Sequence, residues 1–331
     1  MNKAVTLPGG TSGHVRMKVK KYLWPVVGLA TIGFSIWLLY HEVRGLSLDD
    51  VWDSLTAISW KGWSLSALST LLAYAALAGY DRIALQHLGR KVNLLFITLT
   101  SFTTYALSHN VGASVFSGAV VRYRAYTSKG LSGTEVGILV AMCSFTFFFG
   151  TMFLTGLVLV YEPDITERFG DLLPVGASRT TGCILLVLCG IYVAGSLLRP
   201  RPLKIGSRVF PYPAPPLVAQ QLIIGPLELI GAAGIIYFAL PEAGNPGYMV
   251  ILGIFLVSFS AALISHAPGG LGVLELLFVT GLPDMNPADV IAALLVFRLF
   301  YLIIPLIMGL IVILLFERAK LSEPDEPSTS G

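Results

Sequence analysis

Apolar residues gather into eight long runs along the chain, at about 22–40, 63–80, 93–121, 134–160, 179–198, 216–240, 247–281 and 290–316. A helix that crosses a bilayer needs about 20 predominantly apolar residues. Six of the runs are continuous and predict such helices. The other two are broken. The run 93–121 carries Ser108-His109-Asn110-Val111-Gly112, followed by Ser114, Ser117 and Gly118. The run 247–281 carries Ser265-His266-Ala267-Pro268-Gly269-Gly270-Leu271-Gly272. Gly and Asn disfavour a helix interior, hydroxyls compete for its backbone, and Pro268 has no N–H to give. Each broken run therefore predicts two half-helices.

Loop charge decides how these segments thread. If every run crosses once, the loop with Arg122, Arg124 and Lys129 lies outside, as does the loop with Arg199, Arg201, Lys204 and Arg208. The acidic loop with Glu162, Asp164, Glu167 and Asp171 then lies inside. This reverses the positive-inside expectation. Letting both broken runs return to the side they came from restores it. The predicted fold is an all-α polytopic membrane protein with about six full spans plus two re-entrant helical hairpins. Both termini are cytoplasmic in this arrangement. Halves at about 22–160 and 179–316 each read span, span, hairpin, span, in opposite orientations, which is an inverted-topology repeat. Residues 1–21 form a basic cytoplasmic tail, 22–316 a single transmembrane domain, and 317–331 a disordered tail. Leu48, Val51, Leu55 and Ile58 recur at helical spacing among Asp49, Asp50 and Asp53, with Trp52, Trp60 and Trp63 nearby. They predict an external interfacial helix.

Composition agrees with this pattern. The 331 residues are 55% hydrophobic and 12% charged, against about 25% charged in soluble domains. That excludes an ordinary soluble protein, a disordered chain and a nucleic-acid binder. The net charge of +3 reflects loop Lys and Arg and implies no acidic partner. Cys143, Cys183 and Cys189 lie in apolar runs and read as packing residues. No metal-ligand spacing, nucleotide loop or nucleophile–base pair stands out, and no cofactor is expected.

The candidate chemistry lies in groups that are costly to bury, about 2.5–3.5 kcal/mol each at mid-bilayer. Glu228 and Arg298 sit deep in different spans, where they either pair across the bundle or line a polar cavity. Glu275 follows the second break. Arg122 and Arg124, beside Tyr123 and Tyr126, follow the first, as a phosphate site or as a positive-inside anchor. Gly-rich breaks offer free backbone N–H groups that favour anions. His109 and His266 read either as titrating groups or as packing histidines.

At these residues the sequence resembles a known family. The pieces are Tyr80-Asp81, Ser108-x-Asn110, Ser117-Gly118-x-x-x-Arg122-Tyr123-Arg124, Pro268-Gly269-Gly270-Leu271-Gly272-x-x-Glu275 and Arg298-x-x-Tyr301-x-x-x-Pro305. In this order, over about residues 20–316, they resemble the transmembrane family of the bacterial lysylphosphatidylglycerol synthase/flippase, the multiple peptide resistance factor. In the full-length member this module moves an aminoacylated phospholipid to the outer leaflet, and a separate soluble domain makes that lipid. With the chain ending soon after its last span, the resemblance implies lipid handling without synthesis, and no enzyme. Arg82 follows Asp81, a departure expected to neutralise it.

The expected function is an inner-membrane phospholipid or glycolipid translocase. Arg122, Arg124, Ser108, Asn110, Ser117 and Gly118 would bind the headgroup phosphate. Asp81, Glu228, Pro268, Gly269, Gly270, Gly272, Glu275, Arg298 and Tyr301 would line the path. The partners are membrane lipids, a lipid-modifying enzyme and a second copy in a homodimer. The alternatives are a secondary transporter of a soluble solute and a non-transporting membrane subunit of a lipid-modification pathway.

Overall fold

The computed structural model describes residues 47–111, 114–172, 179–198, 203–205, 208–210 and 212–321. The predicted first span at 22–40, the tail before it and residues 322–331 lie outside the described residues. In chain order the helices are α1 (Leu48–Ala57), α2 (Trp60–His87), α3 (Leu94–Val111), α4 (Ser114–Thr127), α5 (Gly133–Tyr161) and α6 (Arg179–Leu198). Then follow α7 (Pro215–Ala239), α8 (Tyr248–Ser265), α9 (Val273–Gly281), α10 (Pro287–Phe297) and α11 (Ile304–Leu321), the last two joined by a π turn at Arg298–Ile303. Among the described residues, six helices are long and apolar enough to cross a membrane: α2, α5, α6, α7, α8 and the continuous Pro287–Phe316. Five coincide with predicted spans. The sixth, α8, is the longer limb of the second broken run. The last helix continues to Leu321, beyond the predicted end of its span at 316.

Local sequence sets the helix ends. Ser59 Oγ accepts from Gly62 N at 3.1 Å to start α2. Ser132 and Glu135 form a reciprocal capping box at the start of α5, with Ser132 N donating to Glu135 Oε2 at 2.8 Å. Pro215 opens α7, where its fixed φ and missing N–H cost nothing. The interfacial stretch forms α1 as predicted, capped by Ser47 and Asp50 and packed across α10. One expectation needs correction. The predicted all-α fold has one exception: Leu203–Ile205 and Arg208–Phe210 pair as two short antiparallel strands, with Leu203 opposite Phe210. Their branched and aromatic residues flank Gly206-Ser207, a two-residue hairpin sequence.

α7 is the central helix, packing on α2, α5, α10 and α8. Small residues let it approach closely, as at other helix interfaces in membranes. A Cβ at Gly231 would lie 2.7 Å from Ser69 O and 2.8 Å from Ala73 N of α2. A Cβ at Gly150 of α5 would run into the Gly225 carbonyl and lie 2.8 Å from Pro226 N. Where the two broken runs turn, each limb folds back on its own partner. α3 lies against α4, and α8 against α9.

The α5–α7 crossing yields a prediction. Gly150→Leu puts a side chain where backbone already stands, and overpacking of this kind costs about 1–3 kcal/mol or more. Gly137, on the same helix, has open space around it. Gly150→Leu is expected to lower the unfolding temperature in detergent, while Gly137→Leu leaves it unchanged or raises it.

Candidate functional site

The first buried charge cluster forms where α4 leans on α3. Gly118 permits the contact, since a Cβ there would lie 2.5 Å from Ser108 Oγ and 3.0 Å from Thr104 Cγ2. One turn later, Arg122 reaches α2. Its Nη2 donates to Asp81 Oδ1 at 2.7 Å, and its Nε lies 3.2 and 3.3 Å from the two carboxylate oxygens. Tyr126 Oη donates to Asp81 Oδ2 at 2.7 Å, and Cys143 Sγ of α5 lies 3.3 Å from Oδ1. The Tyr105 ring faces the guanidinium, 4.8 Å from centroid to Cζ. Asp81 is fully buried and Arg122 is 5% exposed.

The second cluster clamps the Gly-rich break. α8 ends at His266 in a left-handed conformation (φ 56°), and Gly269, Gly270 and Gly272 also have positive φ. Glycine tolerates these angles without steric cost. Glu275 lies in the first turn of α9, and its Oε2 accepts from Gly272 N at 2.8 Å. Its Oε1 accepts from Arg298 Nε at 2.8 Å and also from Nη2. Arg298 Nη1 donates to Gly269 O at 2.9 Å. A single guanidinium thus ties the π turn to both the carboxylate and the backbone of the break.

The third cluster joins the other two. Pro305 has no N–H, so Tyr301 O lacks the donor an α-helix would supply. Tyr74 Oη of α2 donates to it at 3.0 Å. Asn110 Nδ2, at the end of α3, donates to Leu302 O at 3.2 Å. Tyr301 Oη donates to Glu228 Oε1 of α7. His109 stacks on the Tyr301 ring at 4.9 Å. The two breaks therefore meet at the π turn. Between them lies a cavity of about 50 Å³ lined by residues including Ser108, His109, Gly269, Gly270 and Tyr301. A larger cavity of about 440 Å³ opens elsewhere, between α1, the start of α2 and the α7–α8 turn. Lys61, Glu242 and Asp289 are among its lining residues.

Two sequence expectations are corrected. Glu228 and Arg298 do not pair, because Arg298 is taken by Glu275 and Gly269 O. Arg82 does not neutralise Asp81. It is exposed, and adjacent helical residues do not share a face, so Arg122 does so instead. Arg122 consequently offers no free guanidinium to a phosphate. Arg124 lies on the exposed side of α4. Ser117 and Pro268 have side chains outside the described residues. Tyr74, Tyr105 and Cys143 were missed as members of these clusters. A tyrosine in an apolar span signals a hydroxyl that must find a partner; nothing distinguished Cys143 from a packing cysteine.

Broken helical segments that meet inside a bundle of spans define a multi-pass helical membrane protein. The chain matches the family described as the lysylphosphatidylglycerol synthase TM region over residues 26–309, and it belongs to that family. It is 30% identical to the uncharacterized protein slr0712 of Synechocystis over 87% of this chain and 90% of that one. It is also 30% identical to the inner membrane protein YbhN of Escherichia coli, over 76% and 80%. A phosphatidylglycerol lysyltransferase of Staphylococcus haemolyticus is 23% identical over 82% of this chain and 31% of its own length.

The Asp81–Arg122 pair can be tested by a double-mutant cycle. Removing one partner strands a buried charge and typically costs about 3–5 kcal/mol, while replacing both costs much less. Asp81→Asn and Arg122→Gln are each expected to lower thermal stability sharply, and the double variant to recover most of it. Additive losses would mean that the two residues act independently.

Proposed function

We propose that the protein is a phospholipid or glycolipid translocase of the bacterial inner membrane, flippase-like and without lipid-synthase activity. The observation that carries this reading is the meeting of the two broken segments at the π turn. With the π turn they bring backbone carbonyls, Ser108, Asn110, His109 and Tyr301 together inside the helical bundle. In this reading α3–α4 and α8–α9 are re-entrant hairpins, and the two halves form an inverted-topology repeat. Family membership supports it, as does the likeness to lysyltransferases whose name refers to phosphatidylglycerol. Likeness to an inner membrane protein supports the location, and the loop charges support cytoplasmic termini.

The central cavity has room for about one or two waters, so it describes a closed state. A headgroup would pass only when the hairpins part, with its acyl chains remaining in lipid. The Glu275–Arg298 clamp would then act as a latch. Arg298 suits a headgroup phosphate, which accepts from guanidinium bidentately. The larger cavity, within the size range of ligand sites, would serve as a vestibule on the external side. The lipid is the primary partner; a lipid-modifying enzyme and a second copy of the chain are further partners in this reading.

Two measurements test it. In intact cells, cysteines at positions 129 and 204 should resist an impermeant thiol reagent, and one at 167 should be labelled. Labelling at 129 would remove the first hairpin and the repeat. In sealed proteoliposomes, the wild type should carry fluorescent phosphatidylglycerol between leaflets. Gly270→Leu should insert normally but lose this activity, since its Cβ would meet Leu274 and lie 3.1 Å from Ala262 Cβ at a positive φ. Movement of a soluble solute with no lipid movement would favour the solute transporter.

A further inference from the structure

Among the described residues, three carboxylates lie deep in the bundle and two arginines lie there to meet them. Asp81 takes Arg122 and Glu275 takes Arg298. Glu228, 1% exposed, receives one hydrogen bond, from Tyr301 Oη, and its Oε2 has no partner. Among the described residues an ionised carboxylate in this position meets no counter-charge, and a buried group so placed neutralises instead.

Among the described residues, the surroundings supply no cation to Glu228. On α2, Tyr80 Oη donates to Gly225 O at 2.7 Å, one turn before Glu228, and Tyr74 Oη is committed to Tyr301 O. From α8, Tyr248 Oη donates to Ile230 O, and from α6, Tyr192 Oη donates to Gln221. Cys143 of α5 lies against Asp81. Asp289, on α10, lines the outer cavity. The guanidinium of Arg298, on the same π turn as Tyr301, is spent on Glu275 and Gly269 O. Sodium would need several oxygen ligands at once, whereas the one hydrogen-bond partner of Glu228 among the described residues is a donating hydroxyl. A proton needs only the free oxygen.

We propose that Glu228 is a proton-binding site, and that it couples the lipid movement inferred above to proton exchange with the central cavity. Tyr301 is the link, since its hydroxyl holds Glu228 while its ring lines that cavity. On the cavity side the same ring stacks on His109, whose Nδ1 is buried without a partner. The coupling rests on the translocase reading; the proton site does not.

The site is tested by infrared difference spectra of the purified full chain across a pH series. Wild type should show a protonated-carboxyl C=O band at neutral pH that disappears on alkaline titration. Glu228→Gln, a neutral isostere that mimics the protonated form, should fold and lack this band. Glu242→Gln, at the exposed turn, should keep it. A wild type without the band, or a band that survives in Glu228→Gln, would overturn the site. A midpoint that falls when choline chloride is replaced by sodium chloride would assign the site to sodium instead. The coupling is read in vesicles of phosphatidylglycerol and phosphatidylethanolamine carrying a fluorescent phosphatidylglycerol. With one proton per lipid, each pH unit of gradient should shift the leaflet distribution about tenfold. Wild-type movement that ignores the gradient would overturn the coupling. Absence of lipid movement in every sample, with the band lost only on Glu228→Gln, would reject the lipid reading and support the proton site.

Discussion

Charge taken out of water must be compensated where it stands, and the interior of this protein is arranged around that requirement. Asp81 on α2 can be buried because α4 delivers a guanidinium, a phenol hydroxyl and, with α5, a thiol to its two oxygens. That delivery depends on the first broken run turning back. A continuous helix through residues 94–127 would carry Arg122 well away from α2. In the second half the same requirement is met differently. Arg298 satisfies Glu275 and also holds the carbonyl of Gly269, so one side chain neutralises a charge and fixes an irregular backbone. Glycine and proline open the helices; the ion pairs close the resulting gaps.

The π turn is where these solutions meet. Irregular backbone inside a membrane is tolerated only where its polar groups are satisfied within the protein. Pro305 withdraws the donor for Tyr301 O, and Tyr74 replaces it across the bundle. Asn110, from the first break, does the same for Leu302 O. The π segment is thus tied to the second span and to the first break through its carbonyls, and to α7 through the Tyr301 hydroxyl. Displacing any one of these elements strands a polar group on another. That is the physical basis for treating the two breaks as one unit.

Much of this was legible in the sequence, because membranes impose a strong pattern. The apolar runs mark the described spans, and Asn, Gly and Pro mark both breaks. Glu228, Glu275 and Arg298 stand out because charges in apolar runs are rare, whereas Asp81 was marked only by the family resemblance. The pairing between them was not legible. Asp81 meets Arg122 41 positions away and Glu275 meets Arg298 23 positions away, and spacing along a chain does not say which arginine reaches which carboxylate. Arg82 could have been set aside in advance, since it lies about 100° around the helix from Asp81. Glu275 could have been recognised as an N-terminal cap, three residues after Gly272. The short hairpin at 203–210 was masked by the basic residues interleaved with its apolar ones.

The two ion pairs are not equivalent, and their difference bears on how the closed arrangement would open. The Asp81 carboxylate is surrounded on both oxygens and has no exposure, so separating it from Arg122 would strand a charge with no water to receive it. Glu275 and Arg298 each retain 12% side-chain exposure, and their partners include backbone groups of a segment with four left-handed residues. This pair is therefore less fully enclosed than the first, and it borders irregular backbone rather than a regular helix. In the translocation cycle proposed above, the first broken segment would therefore be the fixed wall and the second the moving one. Glu228 lies on the central helix, linked by a single hydroxyl to the π turn whose Arg298 clamps the second break. Under the proton-site proposal, its protonation would bias the position of the second broken segment without disturbing the first.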